Sequence, residues 1–137
     1  MCGIAGKLGF HPDAFPTHAL LAAMCNKIAH RGPDDAGYFI QGPIALGHRR
    51  LSVIDVMSGH QPLGNEDETI WVVLNGEIYN YVELREQLEQ KGHRFRTRSD
   101  TEVIVHLYEE YGERFIEHLR GMFAIALWDT RCRRLVL

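Results

Sequence analysis

Cysteine is scarce in this sequence, with three residues in 137, namely Cys2, Cys25 and Cys132. The number is odd and no two of them form a CxxC pair, so a disulfide framework is not expected and a reduced, cytoplasmic setting is predicted. The eight histidines are scattered, with no HExxH pattern and no His/Cys cluster at ligand spacing. We therefore predict no metal site from the sequence.

Strong charge and long apolar runs are also lacking. The formal net charge is -3, which gives no electrostatic reason to expect a nucleic-acid or acidic-membrane partner. No apolar run approaches the ~20 residues that span a bilayer. The first residues have no basic region, and their glycines and Lys7 interrupt any apolar stretch, so they do not form a signal peptide. No repeat, linker or low-complexity segment divides the chain, and its length suits one domain.

What is present favours an α+β domain, since strands and amphipathic helices do not alternate strictly. Strands are predicted over CGIAGKLGF, TIWVVLN, MFAIALWD and LVL, and over YFIQGPIALGHRRLSVID as two strands joined at Gly42 and Pro43. A helix is predicted from Thr17 to near His30, others over NYVELREQLEQKG and SDTEVIVHLYEEYG, a short amphipathic piece over ERFIEHLRG, and a polar loop over MSGHQPLGNEDE.

Two of the helices begin with a possible capping box. Asn80 pairs with Glu83 in the first of them, and Ser99 pairs with Glu102 in the second. The last predicted strand, LVL, stops as soon as it starts and would leave a bare edge. From this we expect the chain to be part of something longer.

Cys2 is the first candidate for chemistry. Removal of Met1 would leave Cys2 at the N-terminus, where it carries both a nucleophilic thiol and a free α-amine whose pKa lies near ~8. Such an amine can serve as a general base near neutral pH. The alternative is that the cysteine is incidental, and position alone does not exclude it. Cys25 is expected in the core and Cys132 on the surface.

Three further stretches contain groups that a reaction at Cys2 would use. The paired arginines of LGHRRLSVID suit a carboxylate, or they lie on a solvated strand face. Asn75 and Gly76 follow an apolar strand and could form an oxyanion hole, or an Asn-Gly hairpin turn. Asp100 could hold an amine, or cap a helix. The stretch HRGPDD is most simply a tight turn. Together these groups fit attack on the side-chain carbonyl of an amino acid.

Longer motifs make the sequence resemble a known family. These are MCGIAG, HRGPDDAGYF, LGHRRLSVID, GHQPL, LNGEIYNYVELREQL, SDTEVIVHLYEEYG and LRGMFAIALWD. They resemble the glutaminase domain of glutamine-hydrolysing asparagine synthetases, which are class II glutamine amidotransferases and N-terminal-nucleophile hydrolases. The resemblance runs from Cys2 to the last residue. It implies a four-layer αββα sandwich, with two antiparallel sheets between helices, truncated at its C-terminal end. Residues 1–137 would then be an incomplete amidotransferase domain, with an ATP-dependent synthetase domain beyond.

The resemblance also implies roles for individual residues. Cys2 matches the nucleophile, while Asn75 and Gly76 match the oxyanion hole. Arg50 matches the arginine that binds the α-carboxylate of glutamine, and Asp100 matches the carboxylate that holds the α-ammonium. The strand that lines the glutamine is matched by Arg50 together with Leu51, Ser52, Val53 and Ile54. Glu77 matches a backbone contact beside the oxyanion hole.

The implied function is hydrolysis of L-glutamine through a Cys2 thioester, with ammonia passed to a synthetase domain that makes asparagine from aspartate. No cofactor is expected in this domain, whereas ATP and Mg are expected in the synthetase domain. A different ammonia acceptor, such as a polysaccharide or secondary metabolite, and a truncated non-catalytic module are the alternatives. The sequence leaves open whether the chain forms a homodimer.

Overall fold

The computed structural model describes residues 2–52, 55 and 57–137. Over these residues the strands are β1 (Gly3–Leu8), β2 (Asp35–Gln41), β3 (Ile44–Arg50), β4 (Leu63–Gly64), β5 (Ile70–Ile78), β6 (Gly121–Asp129) and β7 (Arg134–Val136). The α-helices are α1 (His18–Lys27), α2 (Tyr81–Gln90) and α3 (Glu102–Tyr111), and short 3-10 helices cover Pro12–Ala14, Ala29–Arg31 and Gly112–His118.

The strands form two antiparallel sheets. The first has the order β1-β3-β2 and the second the order β4-β5-β6-β7. In the first sheet, β3 lies in the centre and pairs Gly3 with Arg49 on one side and Asp35 with Arg50 on the other. In the second, the long β5–β6 pair places Asn75 opposite Ala124 and Gly76 opposite Phe123.

Alternation of side chains along the central strands builds four layers. Ala45 packs with Leu21 and Cys25 of α1 on the outer face of the first sheet. Its neighbours on β3 face the second sheet, where the shared core contains Ile44, Leu46, Val73, Ala126 and Trp128. The other face of the second sheet packs on α2 and α3, through residues that include Val72, Leu74, Leu84, Leu88 and Ile104. The predicted αββα sandwich of two antiparallel sheets is therefore confirmed.

The helix starts differ from the sequence predictions in two of three cases. The Thr17 hydroxyl accepts from the Leu20 amide at 3.2 Å and caps α1 as expected. The side chain of Asn80 makes no capping bond at α2 and instead bonds across to the 118–120 segment. Ser99 does not cap α3 either, because that helix begins after Thr101. Both capping-box predictions were wrong: Asn80 bonds to a distant segment, and the Ser99 hydroxyl accepts from the Thr101 amide at 3.2 Å, before the helix begins.

Two strand predictions also need correction. The predicted polar loop contains the short strand β4, whose Leu63 pairs with Val72. The strand predicted to continue through Ser52 ends at Arg50, and Leu51 and Ser52 are not in a strand. The strand prediction for Val53 and Ile54 lies outside the described residues. A short strand with few apolar residues gives little signal in sequence, because pairing partners rather than periodicity hold it.

Candidate active site

A cleft of about 250 Å³ opens beside the first residues of β1. Its lining brings together segments from across the chain, namely Cys2, Arg50, Leu51, Gly59, Gln61, Leu74, Gly76, Glu77, Ser99, Asp100, Thr101 and Met122. Six of the residues predicted from the sequence therefore lie around one space: Cys2, Arg50, Leu51, Gly76, Glu77 and Asp100. The turn, loop and strand ends that hold them are far apart in sequence, and the sandwich places them together.

Cys2 is partly exposed and fixed at the edge of this cleft. Its Sγ accepts from the Leu51 amide at 3.3 Å and lies 3.6 Å from the Leu51 carbonyl oxygen. The Nε of Arg31 donates to the Cys2 carbonyl oxygen at 3.0 Å. The thiol and the main chain of this residue are thus held by two different segments. Met1 lies outside the described residues.

The HRGPDD stretch, predicted as a tight turn, supports the site. Besides the bond from Arg31, the Asp34 carboxylate accepts from the Ser52 amide at 2.8 Å. Gly32 packs so closely on β3 that a Cβ there would lie 2.3 Å from the Arg49 carbonyl oxygen. The Arg49 Nε in turn donates to the Gly32 carbonyl oxygen at 3.0 Å. This turn therefore fixes both Cys2 and the chain that follows β3.

Arg50 ends β3 and is buried at the cleft, with 6% of its surface exposed. Its Nη2 donates to the Asp55 carbonyl oxygen at 2.5 Å. Arg49, the other member of the pair, bonds to Gly32 and is not a cleft residue. The two arginines therefore have different surroundings. Arg50 lies at the cleft, where its planar guanidinium can pair with a carboxylate.

Asp100 also lines the cleft and is buried. Its Oδ2 accepts from the Ile78 amide at 2.9 Å, which ties the start of α3 to the end of β5. Burial raises the pKa of Asp100, although the Ile78 bond works in the other direction. A carboxylate in this position is stabilised by a cation that enters the cleft. The alternative of a helix cap is not what the structure shows, since Asp100 bonds to a strand.

Asn75 and Gly76 lie within β5, so the hairpin-turn alternative is wrong. Gly76 has φ 142° and packs so tightly that a Cβ would lie 2.0 Å from the Met122 carbonyl oxygen. Asn75 is not a lining residue, but strand alternation places its side chain with Val73 on the face toward the first sheet. The same alternation places Cys2 with Ile4 on the facing side of β1. Asn75 Oδ1 is buried and has no hydrogen-bond partner among the described residues.

Gln61 is a cleft residue that the sequence analysis did not identify. Its side chain accepts from the Leu74 amide at 2.7 Å and donates to the Thr101 hydroxyl at 3.1 Å. It therefore joins the strand that carries Asn75 to the start of α3, next to Asp100. The only sequence signal is its place in the GHQPL motif. Ser52, by contrast, was predicted to line the glutamine but is not among the lining residues, and Val53 and Ile54 lie outside the described residues.

The connection between α2 and α3, residues 91–101, is held by carboxylates. The Arg96 and Thr97 amides donate to the two oxygens of Glu102 at 2.8 and 2.7 Å. The Arg98 amide donates to Asp55 at 2.7 Å, and the Arg94 amide donates to Glu66 at 3.0 Å. Burial of Glu102 opposes its ionisation, yet these bonds and His106 lower its pKa. At the end of this connection, Ser99 and Asp100 line the cleft.

A family model described as a glutamine amidotransferase domain matches residues 1–137. Together with the two-sheet sandwich and its cleft, this match places the chain in that family: it is a glutamine amidotransferase domain. The enzyme class expected from the sequence motifs is thereby confirmed.

Within the family, the chain is similar to glutamine-hydrolysing asparagine synthetases. It is 51% identical to asparagine synthetase [glutamine-hydrolyzing] 1 of Bacillus subtilis (strain 168) over 131 residues, which cover 94% of this chain and 21% of the relative. It is equally identical, at 51%, to asparagine synthetase [glutamine-hydrolyzing] 1 of Arabidopsis thaliana, with 96% and 22% covered. The chain thus spans about one fifth of the length of these curated relatives.

Two solved structures share the fold. A glutamine phosphoribosylpyrophosphate amidotransferase from B. subtilis matches with a TM-score of 0.71 and 23% identity, over 95% of this chain and 35% of the other. An allosteric regulatory enzyme of purine biosynthesis matches with a TM-score of 0.72 at the same 23%, over 93% and 35%. Where the structure describes the chain, none of its helices has the length and apolar character needed to cross a membrane.

Proposed function

We propose that this domain hydrolyses L-glutamine to glutamate and ammonia through a thioester on Cys2. The observation that carries the proposal is the arrangement of Cys2, Arg50 and Asp100 around one cleft. A thiol, a guanidinium and a carboxylate are the three groups that a reaction on the side-chain amide of a free amino acid requires. The volume of the cleft, about 250 Å³, is of a size suited to a small ligand.

Binding uses the two charges of the amino acid. Arg50 pairs with the α-carboxylate, and Asp100 pairs with the α-ammonium. The ammonium stabilises the ionised form of Asp100, which burial disfavours. Leu51 and Glu77 also line the cleft, and contacts of glutamine with residues 52–54 are a further part of the proposal. Fixing both charges orients the side-chain amide toward Cys2, and this orientation supplies part of the rate enhancement.

The chemical step begins once Met1 has been removed. The α-amine of Cys2, directly or through a water, accepts the proton from the thiol, and the thiolate attacks the amide carbon. The side-chain amide of Asn75 and the Gly76 N–H donate to the oxygen that becomes negative. The carbon–nitrogen bond then breaks, the amine returns its proton to the departing nitrogen, and ammonia leaves a γ-glutamyl thioester. Water hydrolyses this thioester to glutamate and regenerates the thiol.

In the longer protein that the relatives represent, the ammonia would reach a second domain. We propose that this domain follows the present one, uses ATP and Mg, and makes asparagine from aspartate. A different acceptor is the alternative within the same class. The names of the relatives support the first choice, since they describe asparagine synthetases that hydrolyse glutamine.

The test is an intact mass measured before and after reaction with an electrophilic analogue of glutamine. The first spectrum shows whether Met1 is gone, and the second should show one adduct in the parent protein. Cys132→Ala, which removes an exposed cysteine, should still form the adduct, whereas Cys2→Ala should form none and release no glutamate from glutamine. Labelling of Cys2→Ala, or glutamate release by a form that keeps Met1, would contradict the proposal.

A further inference from the structure

A second group of polar side chains converges away from the cleft lining. Glu66 lies in the β4–β5 turn, His93 in the connection after α2, and His106 and Glu109 one turn apart on α3. One ligand atom from each of the four lies within 4.8 Å of every other. Three segments separated by up to 43 positions, from residue 66 to residue 109, therefore meet at one point.

The distances between these atoms match the edges of a small tetrahedron. Zinc binds histidine nitrogen and carboxylate oxygen at about 2.0–2.2 Å, so neighbouring ligands of a tetrahedral ion lie roughly 3.3–3.6 Å apart. In the protein, His106 Nδ1 lies 3.5 Å from Glu66 Oε2 and 2.9 Å from Glu109 Oε2. His93 Nδ1 lies 3.3 Å from the same Glu109 oxygen. Small movements of the side chains would bring all four to bonding distance of one ion.

Each of the two histidines has a carboxylate near its Nε2 atom. His93 Nε2 lies 3.0 Å from Glu110 Oε1, and His106 Nε2 lies 3.8 Å from Glu102 Oε1. In metal sites, a histidine ligand typically gives its second N–H to a carboxylate or carbonyl, which fixes the tautomer and the ring orientation. Each ring directs Nδ1 into the cluster; Nε2 of His93 hydrogen-bonds to Glu110 as in such sites, whereas Nε2 of His106 only faces Glu102.

The two carboxylates of the cluster are oriented in the same way. Glu109 Oε1 accepts from the Asn65 side-chain amide at 2.7 Å, which leaves Oε2 directed at the histidines. Glu66 Oε1 accepts from the Arg94 amide at 3.0 Å, which leaves its Oε2 beside His106. Glu66, His93 and Glu109 are therefore each held through one polar atom while the other faces the cluster.

His106 is the deepest of the four, with a side chain that is completely buried. Its Nε2 makes no hydrogen bond among the described residues, and the ring of Phe95 packs against its own at 4.5 Å. The aromatic cover excludes water from one side, as the apolar shell of a metal centre does.

We propose that Glu66, His93, His106 and Glu109 bind one divalent transition-metal ion, zinc first, in a closed structural site. Two imidazoles and two carboxylates form a donor set that suits zinc and leaves no position open for substrate. The ion would tie the β4–β5 turn and the α2–α3 connection to α3. The sequence analysis predicted no metal site because the ligands come from three segments, and only His106 and Glu109 show a local spacing.

The competing interpretation is a network of ion pairs without metal. Burial works against a charge on His106, but Glu102, Glu109 and Glu66 together raise its pKa to about 9. In that case the protonated His106 imidazole balances the negative charge of the carboxylates, and zinc binds weakly or at other groups. The two interpretations differ in stoichiometry and in the effect of exchanging single ligands.

The test is zinc binding to the full chain without a polyhistidine tag, in the Cys2→Ala background so that the nucleophilic thiol cannot take the ion. Metal-stripped protein is titrated with zinc against a chromophoric chelator. We expect one equivalent to bind, and His93→Gln or Glu66→Gln to weaken the affinity at least tenfold. Both side chains are less buried than His106, so these variants keep the fold testable. The exposed residues His30 and Glu83 supply the controls His30→Gln and Glu83→Gln.

Two further measurements separate the outcomes. Cobalt in place of zinc should give visible bands of a four-coordinate nitrogen and oxygen site without a thiolate charge-transfer band. Zinc should also raise the Tm of the parent and of both controls, but not of the ligand variants. Binding that is substoichiometric, or equally tight in the parent and in His93→Gln, would overturn the proposal. Because Cys2 is absent from every sample, failure here leaves the proposed glutaminase reaction untouched.

Discussion

The guanidinium Nε of Arg31 donates to the main-chain oxygen of Cys2 at 3.0 Å, across 29 positions of sequence. This bond holds the backbone of the proposed nucleophile from a turn that lies outside the cleft lining. Since Arg31 does not line the cleft, its effect on the reaction must pass through the position of Cys2.

Arg31→Met should therefore lower kcat while the KM for glutamine changes little. The methionine keeps much of the apolar stem but cannot donate, and a misplaced nucleophile costs rate even when binding is intact. We expect a fall in kcat of about 10- to 100-fold, which corresponds to the ~1.5–3 kcal/mol of a hydrogen bond to a charged group. Arg114→Met, at an exposed arginine bonded to Glu117, is the matched control. A rise in KM with constant kcat would place Arg31 in binding instead.

Asp100→Asn should weaken glutamine binding without weakening the fold. Burial raises the pKa of Asp100, so the unfolded chain releases this proton at a lower pH than the folded one, and the ionised acid opposes folding at neutral pH. Asparagine removes that charge and can still accept from Ile78. We expect KM to rise at least tenfold and Tm to stay equal or increase. Steady-state kinetics and thermal unfolding measure the two effects, and a lower Tm with normal KM would contradict this account.

The ionisation of Asp100 should also make the binding of glutamine depend on pH. As the pH falls through the raised pKa of Asp100, the acid becomes neutral and loses its attraction for the α-ammonium of glutamine. KM for the parent protein should therefore increase on the acid side, and this increase should be absent from Asp100→Asn.

Gly76→Ala should lower Tm more than Gly92→Ala. Both glycines have positive φ, 142° and 100°, so alanine is strained at either position. A Cβ on Gly92 has nothing within 4 Å, whereas on Gly76 it would lie 2.0 Å from the Met122 carbonyl oxygen. The backbone cost alone is on the order of 1–3 kcal/mol, and Gly76 adds a displacement of β6 from β5. Thermal unfolding of the two variants measures the difference, and equal shifts would show that the strands move apart freely.

His48 should make the protein sensitive to acid. Burial lowers its pKa from 6.5 to about 4, and the bond from its ring to the Leu74 oxygen at 3.0 Å only partly compensates. The unfolded chain takes up a proton near 6.5 and the folded chain only near 4, so stability is present above 6.5 and is lost between these values. The loss is about 3 kcal/mol at ~1.4 kcal/mol per pKa unit.

His48→Gln should therefore reduce the fall in unfolding free energy between pH 7 and 4, because glutamine can donate to Leu74 without titrating. Denaturant unfolding at several pH values measures it, and His30→Gln, at an exposed histidine, should keep the dependence of the parent. An unchanged dependence in His48→Gln would assign the acid sensitivity to other groups.

Apolar strands and amphipathic helices predicted an α+β domain, and the resemblance carried by the ordered motifs implied its four layers. The hydrogen-bond partners of polar side chains could not be predicted from the sequence. Asn80 bonds to residues 38 and 40 positions away, and Gln61 joins Leu74 to Thr101. Periodicity reports which face of an element is buried, but a hydrogen bond between distant segments depends on the finished fold. For the same reason, the role of Arg31 was not evident from its HRGPDD motif, and the Glu66–His106 contact had no sequence signal.

The connection between α2 and α3 has a consequence for protein engineering. Surface connections usually accept inserted residues, but in this one the amides of Arg94, Arg96 and Thr97 each meet a carboxylate, and Asp100 follows at once. One added residue would shift every pairing that follows it. The turn at Gly42 is the contrasting position, since it is exposed and has no neighbour within 4 Å of a built Cβ. Insertion libraries should find Gly42 permissive and the 91–101 segment fixed in length.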